Sequence, residues 1–179
     1  ESDFRKLTVF GAKASKAPLW FLDGISGLTA TQMCAGIRRY VRKHGVKLVV
    51  IDYLQKVAPA EKHEKRTYEV GAVSKALKAC AAKTGAAFLT LAQLNRESEK
   101  DKERTPRLSD LADSGQIERD ADTVVLIHRV RGDESVQPKL IVAKQRDGSV
   151  GVVPVQFDGQ FCRFSNQTQS TQQSYADQE

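Results

Sequence analysis

The chain has 179 residues, with 28 Lys and Arg against 22 Asp and Glu, for a formal net charge of +6. That length suffices for one domain with a substantial core, and the basic balance is compatible with a polyanionic partner without requiring one. No apolar run is long enough to span a bilayer and no signal peptide is recognised, so a soluble cytoplasmic protein is the expectation. Three cysteines, Cys34, Cys80 and Cys162, are far apart and lack metal-ligand spacing, which argues for a reducing compartment and against a disulfide framework. The chain starts with Glu1 rather than Met, so a fragment of a longer protein is also expected.

In chain order, residues 4–17 read as the end of a helix, and "PLWFLD" (18–23) reads as a short buried strand. "GISGLT" (24–29) is a turn, after which Thr29 can cap a helix with Met33, Ile37, Tyr40 and Val41 on one face and Gly45 at its end. A strand follows at residues 47–52, then a polar loop through Arg66. A second helix is predicted over about 67–83, because Val70, Val73, Leu77 and Cys80 repeat at three- and four-residue steps. Cys80 is thereby assigned to packing rather than chemistry. "AAFLTLAQ" (86–93) is another apolar strand with a polar end, and 94–107 is a charged segment expected to be mobile.

Strand, helix, strand, helix and strand thus alternate, which predicts a parallel sheet covered by helices. "TVVLIH" (123–128) is a further buried strand. Then "KLIVAKQ" (139–145), "GVVPVQF" (151–157) and "QFCRF" (160–164), separated by "RDGS" and "DG", predict an antiparallel meander. Residues 165–179 are polar and rich in Gln and Ser, and are expected to form a disordered tail. No internal repeat is evident.

Chemistry concentrates at strand ends. In open parallel α/β sheets, ligands bind beyond the carboxyl ends of the strands, where Asp23, Asp52 and Gln93 fall. A buried strand ending in Asp is the Walker B pattern, whose carboxylate holds Mg²⁺ beside nucleotide phosphates; the other reading of Asp52 is a cap for the next helix. Gln93 strengthens the first reading, since a neutral amide can orient water or bond a phosphate oxygen without adding negative charge. The matching phosphate cradle, G-x-x-x-x-G-K-[ST], is absent, and "GAKAS" (11–15) does not replace it. The chain alone is therefore expected to hydrolyse no nucleotide.

These residues carry a resemblance. "LVVIDYLQ", "LTLAQLNR", "LSDLADSGQIERDADTVVLIHR" and "IVAKQRDGSVGVVPVQFDGQFCRF", preceded by "LWFLDGISGLTATQM", strongly resemble the carboxy-terminal ATPase domain of DnaB-type replicative DNA helicases over about residues 1–164. The resemblance implies an α/β fold: a RecA-like core with a mostly parallel sheet flanked by helices, ending in the antiparallel β meander. It also implies a homo-hexamer that shares ATP sites between subunits, hydrolyses ATP with Mg²⁺, and translocates on single-stranded DNA, with primase and a helicase loader as partners. Asp52 is implied to be the metal carboxylate. Gln93 is implied to sense the γ-phosphate and couple it to the DNA-facing loop.

Lys144 and Arg146 match basic residues that reach a neighbour's nucleotide. Alternating along a strand, they share a face. Asp113, Ser114 and Gly115 match the segment that touches the DNA backbone. Ala112 stands where the family often has a basic residue, which leaves backbone N–H groups as the contact there. The Walker A lysine and the catalytic glutamate of the family would precede residue 1. A RecA-like recombinase-type ATPase, or a non-enzymatic truncated remnant that binds DNA or helicase subunits, are the alternative readings.

Overall fold

The computed structural model describes residues 2–22, 27–60, 66–95, 104–111, 114–130 and 136–167, with Ser2 and Ser114 described in their backbone only. Four helices, α1 (Ser2–Ala14), α2 (Ala30–His44), α3 (Arg66–Thr84) and α4 (Ser114–Asp120), are interleaved with six strands: β1 (Leu48–Ile51), β2 (Ala87–Thr90), β3 (Thr123–His128), β4 (Lys139–Gln145), β5 (Gly151–Asp158) and β6 (Arg163–Asn166). β1 and β2 form a parallel pair, and β3, β4, β5 and β6 follow one another in a four-stranded antiparallel sheet.

Local chemistry explains the helix ends. Thr29 and Gln32 form a capping box at the start of α2: the Gln32 N–H donates to Thr29 Oγ1 at 3.3 Å, and the Thr29 N–H donates to Gln32 Oε1 at 2.9 Å. Gly45 ends the helix at φ 66°, a left-handed conformation that costs glycine little. From α2, Met33, Cys34 and Ile37 are buried, while Tyr40 and Val41 are half-buried. The predicted stripe of α3 is buried as a set, Val70, Val73, Leu77 and Cys80, and meets Ile51, Leu54, Val124 and Leu126 in one core. Truncating such a side chain, as in Leu77→Ala, costs about 2–5 kcal/mol.

α3 also carries α4. Gly71 lets α4 approach so closely that a β-carbon there would lie 3.1 Å from Gln116 Cβ. Ser74 Oγ donates to Asp120 Oδ2 at 2.7 Å across the same contact, and Gln116 donates to Asp120 Oδ1 at 2.9 Å.

The sequence expectations need two corrections. Residues 19–22 form no strand and join no ladder, and Leu19 and Phe21 are exposed. Their alternation has another cause: Leu22 packs near Gly36 and Trp20 stacks on His44, so the segment lies along α2 instead of inside a sheet. Asp23, at the end of that stretch, lies outside the described residues. The last strand begins at Arg163, three residues later than expected, because Gly159–Cys162 form the turn; the Gln160 N–H donates to Asp158 Oδ1 at 3.1 Å and Cys162 takes φ 49°. Of the charged segment expected to be mobile, residues 96–103 lie outside the described residues; at its described ends Leu94 bridges Leu111, and Arg104 pairs with Asp110. Most of the tail expected at 165–179 lies outside the described residues.

Candidate functional site

The parallel β1–β2 pair decides where the first group of site residues falls. Ile51 stands opposite Thr90 at the last ladder position, so both chains leave the sheet at the same end. Beyond it the two segments stay joined. The Leu91 N–H donates to Ile51 O at 2.9 Å, and the Leu54 N–H donates to Leu91 O at 2.8 Å. Asp52 and Gln93 are thereby brought to one edge of the molecule, and both are exposed.

A short 3-10 turn, Leu54–Lys56, follows Asp52, but its N-cap residue is Tyr53 and no side chain caps it. Asp52 therefore does not cap this turn; the residues directly before the next α-helix, α3, lie outside the described ones. Its carboxylate makes no hydrogen bond or ion pair with the described residues.

Gln55 was not singled out from sequence, although it stands three residues after Asp52. Its amide clasps the backbone of Gln93: Nε2 donates to Gln93 O at 3.4 Å, and Oε1 accepts from the Gln93 N–H at 3.2 Å. One side chain thus fills both hydrogen-bonding positions of the residue that leaves β2, and the Gln93 side chain stays outside.

The chain then connects this end to α4. The Asn95 N–H donates to Asp110 O at 2.7 Å, and Leu94 and Leu111 form a β-bridge. The Asp110 side chain is buried and doubly bonded: Arg104 Nη2 donates to Oδ1 at 2.7 Å and the Arg107 N–H donates to Oδ2 at 2.8 Å. The Arg104 hydrogen bond, then the Arg107 backbone bond, holds this carboxyl below the ordinary range. Ala112 and Asp113 lie outside the described residues. Gly115, exposed in the first turn of α4, has open space around it.

Lys144 and Arg146 form a second group at the α4–β3 junction. Lys144 Nζ donates to Glu118 O at 2.5 Å. Arg146 is held twice by Asp122, through its Nη1 to Oδ1 at 2.6 Å and its N–H to the carbonyl at 2.9 Å. Lys78 of α3 bonds the other Asp122 oxygen. That hydrogen bond keeps the Asp122 carboxyl below its ordinary range, against partial burial, with the charges of Lys78, Arg146 and Lys144 acting in the same direction. Both basic residues turn toward one junction, but not as neighbours on one strand face: β4 ends at Gln145, and Arg146 lies in the turn beyond it, held there by its backbone and side-chain bonds to Asp122. Among the described residues no ladder or side-chain bond joins this group to Asp52 and Gln93.

The acids of "SGQIERDAD" are partly spent inside the fold: Asp120 is bonded to Ser74 and Gln116, and Asp122 to Lys78 and Arg146. The segment is less repulsive to a polyanion than its composition implies. Among the described residues, no helix is long and apolar enough to cross a membrane.

Comparison with known proteins follows the same outline. Residues 1–166 match the family described as the DnaB-like helicase C terminal domain. A replicative DNA helicase DnaB of Leifsonia xyli subsp. xyli is 38% identical over 169 residues, 92% of this chain and 37% of that protein. The Haemophilus influenzae protein of the same name is 39% identical over 152 residues, 82% of this chain and 32% of its own length. The chain therefore spans about a third of the curated relatives it matches. Among solved structures, a DnaB-like replicative helicase described with its interactions with primase superposes with a TM-score of 0.82 at 32% identity, covering 93% of this chain and 41% of that one. A second solved structure, described as an ATPase domain, superposes with a TM-score of 0.84 at 32% identity, covering 94% of this chain and 61% of that one.

Proposed function

The chain belongs to the DnaB-like helicase C-terminal domain family, and from that premise we propose that it is part of the motor of an ATP-dependent, hexameric replicative DNA helicase. The full-length protein translocates on single-stranded DNA in the cytoplasm, unwinds the duplex, and works with primase and a helicase loader. The observation that carries this reading is the tie from the Asp52–Gln93 end of the parallel strands, through Leu94 and Asn95, to Asp110 and Leu111.

In this reading Asp52 would hold Mg²⁺. Its carboxylate fits a hard cation: it is exposed and engaged by none of the described residues, and such a cation takes oxygen ligands and keeps several waters. When bound there, such an ion would supply charge neutralisation for the phosphate oxygens of ATP. Gln93 offers an amide to the γ-phosphate from a backbone that Gln55 holds in place. A shift of Gln93 is passed along Leu94 and Asn95 to Asp110 and Leu111, and so to Asp113, Ser114 and Gly115, which meet the DNA backbone. Lys144 and Arg146 serve the neighbouring subunit's nucleotide, with Arg146 exchanging the Asp122 carboxylate for phosphate oxygens. Arginine suits that exchange, because its planar fork bonds carboxylate and phosphate alike.

The test is Asp52→Asn in the full-length helicase. Asparagine keeps the shape and removes the charge, so Mg-dependent hydrolysis is lost while the fold persists. Hydrolysis near the wild-type rate would overturn the metal assignment.

A further inference from the structure

The last seven residues of α2, "RRYVRKH", carry four Lys or Arg and no acid. Among the described residues these four cations make no ion pair, although Lys78, Arg104, Arg146 and Arg163 elsewhere in the chain do. Three rings lie among them. Trp20 stacks on His44 with centroids 4.9 Å apart and planes 26° from parallel, and Tyr40 lies beside the same His44 ring at 5.6 Å. Arg39 sits 6.0 Å from the centre of the Tyr40 ring. Arg39, Tyr40, Lys43 and His44 enclose an open cleft of about 180 Å³. Arg39 and Lys43 stand one helical turn apart, which places their charges on the same side of it.

We propose that this end of α2, with Trp20 laid against it, is a binding surface for single-stranded nucleic acid. Among the described residues no hydrogen bond or ion pair joins its side chains to Asp52 or Gln93, and it does not depend on the roles given to them. The cations suit a phosphate backbone, and a run of aromatic faces suits unpaired bases, which stack on rings whatever their sequence. An acidic protein surface would use the charges but leave the rings without a planar partner. Trp20 is 39% exposed, so its ring is accessible despite the stack on His44.

Trp20 is the chain's single tryptophan, so its fluorescence reports on this surface and on no other. The experiment titrates the chain with oligo-dT and, separately, oligo-rU, over a range of salt concentrations. Either oligomer should quench Trp20, and added salt should weaken the binding; quenching by one and not the other identifies which sugar the surface takes. Arg39→Ala with Lys43→Ala, checked for native circular dichroism, should weaken binding about tenfold and flatten the log–log salt dependence by about 1.4, since each lost contact to a single strand removes about 0.7.

Trp20→Ala, followed by anisotropy of a labelled oligomer, should weaken binding about fivefold or more, whereas Trp20→Phe should restore most of it. Poly-glutamate or a DNA duplex of equal charge that quenches as well as oligo-dT would overturn the proposal: the first in favour of an acidic protein partner, the second by removing any role for unpaired bases. So would the absence of quenching, or quenching unchanged in the double variant.

Discussion

The Gln55 side chain holds the backbone of Gln93 from both sides, donating to its carbonyl at 3.4 Å and accepting from its N–H at 3.2 Å. One residue follows the metal carboxylate proposed at Asp52 and the other lies three residues past the end of the neighbouring strand, β2. Anything that moves the Asp52 segment therefore also moves Gln93.

This makes Gln55 a positioning residue for coupling. In the full-length helicase, Gln93→Ala should leave nucleotide binding intact and remove most of the stimulation of hydrolysis by DNA. Gln55→Ala should act in the same direction, lowering stimulation by on the order of tenfold with little change in stability, because an exposed hydrogen bond contributes only about 1 kcal/mol. Gln55→Glu keeps the acceptor and loses the donor, so it should fall between the wild type and Gln55→Ala. Steady-state phosphate release with and without single-stranded DNA decides the matter. Stimulation that survives in both alanine variants would remove Gln93 from the coupling path.

The class of the fold and the place of Asp52 and Gln93 could be read from the chain because both rest on local patterns. An apolar run of four residues ending in an acid needs no tertiary information, and neither does the three- and four-residue spacing of Val70, Val73, Leu77 and Cys80. Gln55, Asp110 and Asp122 were not legible, since each acquires meaning only from a partner distant in sequence or held by a turn: Gln93, Arg104 and Arg107, or Lys78 and Arg146. "PLWFLD" misled for the same reason. Its alternation is real, but the surface that receives Trp20 and Leu22 is a helix.

Arg146 rests on Asp122, so its proposed role in trans requires that pair to open. The pair is half-exposed and worth about 0–1 kcal/mol, a small barrier to exchange for a phosphate. Arg146→Ala in the full-length helicase should cut kcat by about 10³ or more with little change in nucleotide affinity. Mixing it with Asp52→Asn protein should restore part of the activity, because some interfaces in mixed rings combine an intact Asp52 with an intact Arg146. Mixed rings as inactive as either parent would sink the trans assignment.

Thiol chemistry offers a check on the core. Burial, reinforced by the Cys80 side chain, pushes the Cys34 thiol up to about 12, and Cys80 is itself 2% exposed. Cys162 sits exposed in the β5–β6 turn. A thiol reagent at neutral pH should therefore titrate one cysteine quickly in the folded chain and all three only after denaturation. Fast reaction of two or three thiols in the native state would show that the contact between α2 and α3 is looser than described.

His128 gives the fold a pH dependence with a defined sign. It ends β3, is 6% exposed, and stands opposite Lys139 across the β3–β4 ladder. Burial, then the charge of Lys139, lowers its pKa below the ordinary 6.5, so the folded state holds the ring neutral. The unfolded chain binds that proton first as pH falls. The contribution of the neutral ring is thus complete above about pH 6.5 and is lost as pH drops toward the folded-state value, with a slope of at most about 1.4 kcal/mol per pH unit for one proton. In denaturant titrations between pH 7.5 and 5.5, the chain should lose stability toward the acid end. His128→Gln, referred to its own stability at pH 7.5, should lose less, since every other residue is common to the two proteins and its contribution cancels in the comparison. Parallel curves for the two proteins would mean that His128 is protonated as readily in the fold as out of it, and that the inner face of β3 is open to water.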